Sequence, residues 1–158
     1  ELFKVYGMYA GNIHDVLPPT IAGAVLTVTA IIAGIIVGLE RELRGKPAGM
    51  RTVALICLGS AIFTIVSVLL AGDGTADRSR VAAQVVSGIG FLGAGSIIRD
   101  RGRVSGLTTA ATIWVVAAIG VVIGTGYAVS GLALSIVVTI LLRGLELFEA
   151  ESRSSEDS

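Results

Sequence analysis

The chain has one cysteine and one histidine in 158 residues, few aromatics, and no charged side chain inside its long apolar runs. Each scarcity excludes something. Cys57 alone cannot close an intrachain disulfide, and with no Cys or His beside it there is no thiolate metal site. It reads as a small apolar residue on a packed helix. His14 lies beside Asp15 without a second ligand and reads as ordinary surface rather than a pH sensor. The want of intramembrane Asp, Glu or His leaves no proton relay. It also leaves no carboxylate set to strip Mg²⁺, an ion that dehydrates reluctantly. No Walker motif occurs and no nucleophile stands beside a plausible base, so the expectation is a protein that is not an enzyme and holds no cofactor. No nucleic-acid partner is expected.

What the sequence does contain is apolar length. Hydrophobic residues make up 53% of the chain against 15% charged, and mean hydropathy is +0.85, outside the usual soluble range. Five stretches fall in or near the span of roughly 17–25 apolar residues that crosses a hydrocarbon core. They cover residues 19–39, 52–71, 81–98, 107–124 and 125–142. The fold class they predict is all-α integral membrane with five transmembrane helices. Three parts follow: an N-terminal interfacial segment (1–18) with Leu2, Phe3, Val5, Tyr6 and Tyr9 at the membrane surface, the five-helix domain (19–142), and a polar tail (143–158) that reads as disordered. Nothing before Pro19 reads as a cleavable signal.

The formal charge of zero conceals a sorting of basic residues. Arg41, Arg44, Lys46 and Arg51 lie between the first two stretches, Arg99, Arg101 and Arg103 between the third and fourth, and Arg143 and Arg153 after the fifth. Lys4, Arg78 and Arg80 fall on the other side. By the positive-inside rule the first set is cytoplasmic, which puts the N-terminus outside and the C-terminus inside. Sliding the sequence by 57 positions lays Arg44, Gly45, Gly49, Thr52 and Ala54 on Arg101, Gly102, Gly106, Thr109 and Ala111. This reads as one helical hairpin duplicated in parallel, with the fifth helix added.

Candidate site residues gather in three places. Glu40, Arg41, Arg44, Lys46, Arg51 and Arg101 form basic connections suited to an ion-pair network or an anion site, or simply to holding loops inside. Glu40 and Arg44 share a face at i,i+4. The third stretch crowds Gly88, Gly90, Gly93 and Gly95 into about two turns. Each helical Gly costs about 1 kcal/mol against Ala, so the cluster serves either close helix packing or an unwound segment facing a substrate. Gln84 is an amide that needs a partner in hydrocarbon, and Trp114 needs an acceptor for its indole N–H. Ser105, Thr109 and Thr112 share a face if the fourth helix begins early enough, with Thr108 pointing elsewhere. The pairs Gly34/Gly38 and Gly120/Gly124 allow helix association within one chain or between copies in a homo-oligomer.

Three strings in order, GLERE with RGKPAGMRT, then GIGFLGAGSI, then GLTTAATIW, resemble the MgtC/SapB family of membrane proteins over about residues 20–142. The resemblance is to the short, SapB-like form without the C-terminal cytoplasmic domain of longer members. It implies a bacterial inner-membrane protein linked to magnesium homeostasis, with Mg²⁺ as substrate or signal. Two functions are implied: a divalent-cation transporter, or a non-transporting regulator that binds another membrane complex such as the F-type ATP synthase, or lipid. Virulence-type members carry Asn where Thr108 stands and Cys where Val115 stands.

Overall fold

The structure is a computed structural model and describes residues 11–71, 79–100 and 103–156. Among these residues six helices and one small hairpin follow in the order α1 (Ile13–Val16), α2 (Pro19–Leu43), α3 (Met50–Ala71), α4 (Ser79–Gly95), β1 (Ile98–Asp100), β2 (Arg103–Ser105), α5 (Leu107–Gly124) and α6 (Ala128–Glu156). Among the described residues α2, α3 and α5 are long and apolar enough to cross a membrane. The apolar part of α6, Ala128–Gly144, is shorter, and α4 has 17 residues. The all-α membrane architecture therefore holds at the level of the bundle, with three full-length spans where the sequence suggested five.

Local chemistry sets the element ends. Pro18 and Pro19 open α2, where a missing N–H costs nothing. At its other end Gly45 takes a left-handed φ of 64°, Lys46 N–H donates to Arg41 O (3.0 Å) and Gly45 N–H to Glu42 O (3.0 Å), a Schellman stop followed by Pro47. Glu42 Oε2 then accepts from Met50 N–H (2.9 Å) and starts α3 across the turn. Between α4 and α5 the chain forms an antiparallel hairpin pairing Ile98 with Ser105, Arg99 with Val104 and Asp100 with Arg103. This corrects the expectation of a third helix through Ile98. Gly106, at φ 86°, lets the hairpin return against Ser96 O and leads into α5. Ser105 belongs to β2, so it shares no helical face with Thr109 and Thr112. Helix α6 runs through Glu156, so the tail expected to be disordered is helical there.

Ala22, Leu26, Ala30, Ala33 and Val37 recur at helical spacing and are fully buried, the inner stripe of α2. It meets α3 and α6. α3 in turn packs on α5. Small residues bring these helices close, as expected where lipid supplies no driving force of its own. A Cβ on Gly34 would lie 2.6 Å from Ala54 Cα, and one on Gly38 2.6 Å from Met50 Cα. One on Gly124 would lie 2.7 Å from Ala61 O, and one on Gly120 would strike Cys57 O. Both glycine pairs thus serve packing within the chain. Cys57 is fully buried among these contacts.

Helix α4 lies at the bundle's edge against α5, and of its described residues Gly93 alone is buried. It follows the same helix–connection–helix order as α2 and α3, and Leu107 opens α5 57 positions after Met50 opens α3. The connections differ, one a Gly-Pro turn and one a hairpin. At the bundle's opposite end, α1 grips the α5–α6 turn. Ile13 N–H donates to Gly126 O (3.0 Å), Asn12 Nδ2 to Thr125 O (3.3 Å) and His14 Nε2 to Gly124 O (3.3 Å). His14 is therefore a partly buried clamp residue, not plain surface.

Candidate functional site

The inner stripe of α2 does not stop at Val37. One turn further it carries Glu40 and Arg41, each 3% exposed. Two ionisable groups this deep need partners, because burying an uncompensated charge is costly. Arg41 Nη2 donates to Thr109 Oγ1 on α5 (3.1 Å). Arg44 Nε lies 3.9 Å from Glu40 Oε1, the i,i+4 pair read from the sequence. Glu40 Oε2 is buried without a hydrogen-bond partner among the described residues. Glu40 thus lies against Arg44, and Arg41 reaches Thr109 where α2 meets α5, at the end of the bundle that carries the Gly-Pro turn and the hairpin. Among the described residues no group of three or more His, Cys, Asp or Glu could hold a metal ion.

Beside this cluster an apolar groove of about 1050 Å³ opens between α3 and α4. Leu55, Ile56 and Phe63 form one wall, and Val85, Ile89 and Leu92 the other. Its polar lining comes from Thr52, Ser60, Gln84, Ser96 and Thr109. Thr109 belongs to both features: its hydroxyl accepts from Arg41 and its residue faces the groove.

The candidate residues divide accordingly. Glu40, Arg41, Arg44 and Thr109 come together in the cluster, and Gln84 and Gly95 line the groove. Lys46 is half-buried in the turn, and Arg51 is exposed on the first turn of α3. Gly93 faces Ala110, the nearest atom to a Cβ there being Ala110 O at 3.6 Å. Gly88, Gly90 and Gly95 have open space around them, so they do not mediate close packing within the chain, and α4 is continuous across all four glycines. Thr108 is exposed, and its carbonyl accepts from Thr112 Oγ1 (2.8 Å), the back-bond expected of a mid-helix hydroxyl. Trp114 is 51% exposed on the outer face. Arg101 lies outside the described residues. Sequence reasoning missed the groove walls Thr52, Ser60 and Phe63. It also placed Arg41 in a connection rather than in the core. The stripe at 22, 26, 30, 33 and 37 extrapolates to 40 and 41 and could have revealed that burial.

A bundle of apolar helices, polar at one end and oily on its outer faces, defines a helical integral membrane protein. The sequence model of the MgtC family matches residues 27–151, and the chain belongs to that family. It is 50% identical over 123 residues to "Putative magnesium transporter YhiD" of Escherichia coli K12, covering 74% of this chain and 57% of that protein. It is 46% identical over 119 residues to Protein MgtC of Brucella abortus, covering 73% and 49%. Against Protein SrpB of Synechococcus elongatus it is 43% identical over 129 residues, covering 74% and 71%. The chain spans about half the length of the YhiD and MgtC relatives. No solved structure matches.

Proposed function

We propose that this chain is the membrane unit of a bacterial inner-membrane protein acting in magnesium homeostasis as a non-transporting regulator. In this reading the Gly-Pro turn and the hairpin face the cytoplasm, the N-terminus lies outside and the C-terminus inside. The observation that carries the regulator reading is the buried Glu40–Arg41–Arg44 cluster. Arg41 is fixed on Thr109 and Arg44 lies against Glu40, so ionic groups are held in set positions at this end of the bundle. A fixed polar surface of this kind suits contacts with a partner complex. The F-type ATP synthase, a partner implied by the family resemblance, is one complex of this kind to test.

The transporter reading draws on a different observation, the name carried by the YhiD relative. Reconstituted vesicles loaded with a Mg²⁺-sensitive dye separate the two. The expected result is uptake equal to that of empty vesicles, while cells dependent on the chain lose growth at low Mg²⁺ when Arg41 is replaced by Met. Saturable Mg²⁺ flux above background would refute the regulator reading and establish transport.

A further inference from the structure

The glycines of α4 pose a physical problem. Helical glycine is unfavourable, and close helix approach is the usual compensation in membranes. Gly88 and Gly95 on α4, and Gly59 on α3, have nothing within 4 Å of the position a Cβ would take. All three line the same groove. What they provide is room.

We propose that this groove seats one acyl chain of an anionic phospholipid, with its phosphate held at the basic end of the bundle. Three features support this occupant. Apart from Gln84, the groove is lined by apolar residues and glycines along the stretch of α4 from Val81 to Gly95, about 21 Å at 1.5 Å per residue. One leaflet is about 15 Å deep, half of a ~30 Å hydrocarbon core, so the groove accommodates a chain of ordinary length. The groove also opens at the end where cations collect. Lining residues Pro47 and Thr52 adjoin Lys46 and Arg51, and lining residue Ser96 leads directly into the hairpin that carries exposed Arg99 and Arg103. Glu42 and Asp100 are exposed acids at that end. A phosphate there finds a cationic rim. A second copy of the chain docking its own α4 would instead bring a second cationic hairpin towards the first, and the like charges disfavour it. The proposal does not depend on whether the protein regulates or transports.

Native mass spectrometry of the full chain in detergent, titrated with phosphatidylglycerol or phosphatidylcholine, tests it. One phosphatidylglycerol should remain bound per chain, with a preference over phosphatidylcholine on the order of tenfold. Gly88→Leu and Gly59→Leu, whose Cβ atoms would have nothing within 4 Å and whose side chains would enter the groove, should abolish retention of either lipid. Gly90→Leu lies on the same helix in open space but outside the groove lining, and should bind as the parent chain does. Arg99→Gln with Arg103→Gln should remove the headgroup preference while an acyl chain still binds. Equal retention of both lipids by the parent chain would mean an ordinary lipid belt and overturn the proposal. So would unchanged binding in Gly88→Leu, or a dimer in the parent chain that Gly88→Leu converts to monomer.

Discussion

Adding a single methyl group at Gly34 and at Gly90 should have opposite effects. Both residues are mid-helix glycines, so Ala at either regains up to about 1 kcal/mol of helix propensity. At Gly90 nothing lies within 4 Å of the new methyl, and that gain stands alone. At Gly34 the methyl would sit 2.6 Å from Ala54 Cα and 3.1 Å from Val53 O, both backbone atoms that no side-chain rotation can move. Carbon atoms in contact prefer about 3.5–4.0 Å, so α2 and α3 must part by about 1 Å over that turn. Overpacking of this kind costs about 1–3 kcal/mol. Gly34→Ala should therefore lose on net about 1 kcal/mol, and the two variants should differ by about 2 kcal/mol. At about 2–4 °C per kcal/mol for a chain of this size, the gap in melting temperature is about 4–8 °C. Thermal unfolding in one detergent, followed by size-exclusion recovery after heating, measures it. A Gly34→Ala protein that melts at or above the parent, or a Gly90→Ala protein that falls as far as Gly34→Ala, would refute the assignment of close packing to α2–α3 and of open space to α4.

Two further outcomes follow from the cluster and the hairpin. Thr109→Val removes the oxygen that accepts from buried Arg41 and should cost about 1–3 kcal/mol in a denaturant titration in mild detergent, whereas Thr109→Ser retains it; equal losses would mean the 3.1 Å contact contributes nothing. In a Cys57→Ala background, Arg51→Cys and Arg103→Cys should both react with an impermeant maleimide from the same membrane side, and labelling from opposite sides would contradict the shared basic end.

Much of this was legible in the residues. The run beginning at Leu107 is long, apolar and preceded by Gly106, and its helix opens and closes where the pattern says. Glu40 and Arg44 at i,i+4 announced their ion pair. The hairpin was not legible, because Ile98 and Val104 offer too few alternating positions among the charges to distinguish a strand pair from a polar loop. The burial of Arg41 depends on Thr109, 68 positions away, so no local pattern contains the partner, although the α2 stripe pointed toward it. The glycines show the limit most clearly. The same residue type marks tight approach at Gly34 and Gly120 and empty space at Gly88 and Gly95, and spacing alone does not separate them.

The clamp formed by Asn12, Ile13 and His14 joins positions more than a hundred residues apart. During synthesis this segment must wait, its latch open, until α5 has emerged and turned at Gly126. Fastening consequently follows the making of α2 through α5. A protease that cuts near Leu17 in newly made chains but not in mature ones would record that delay.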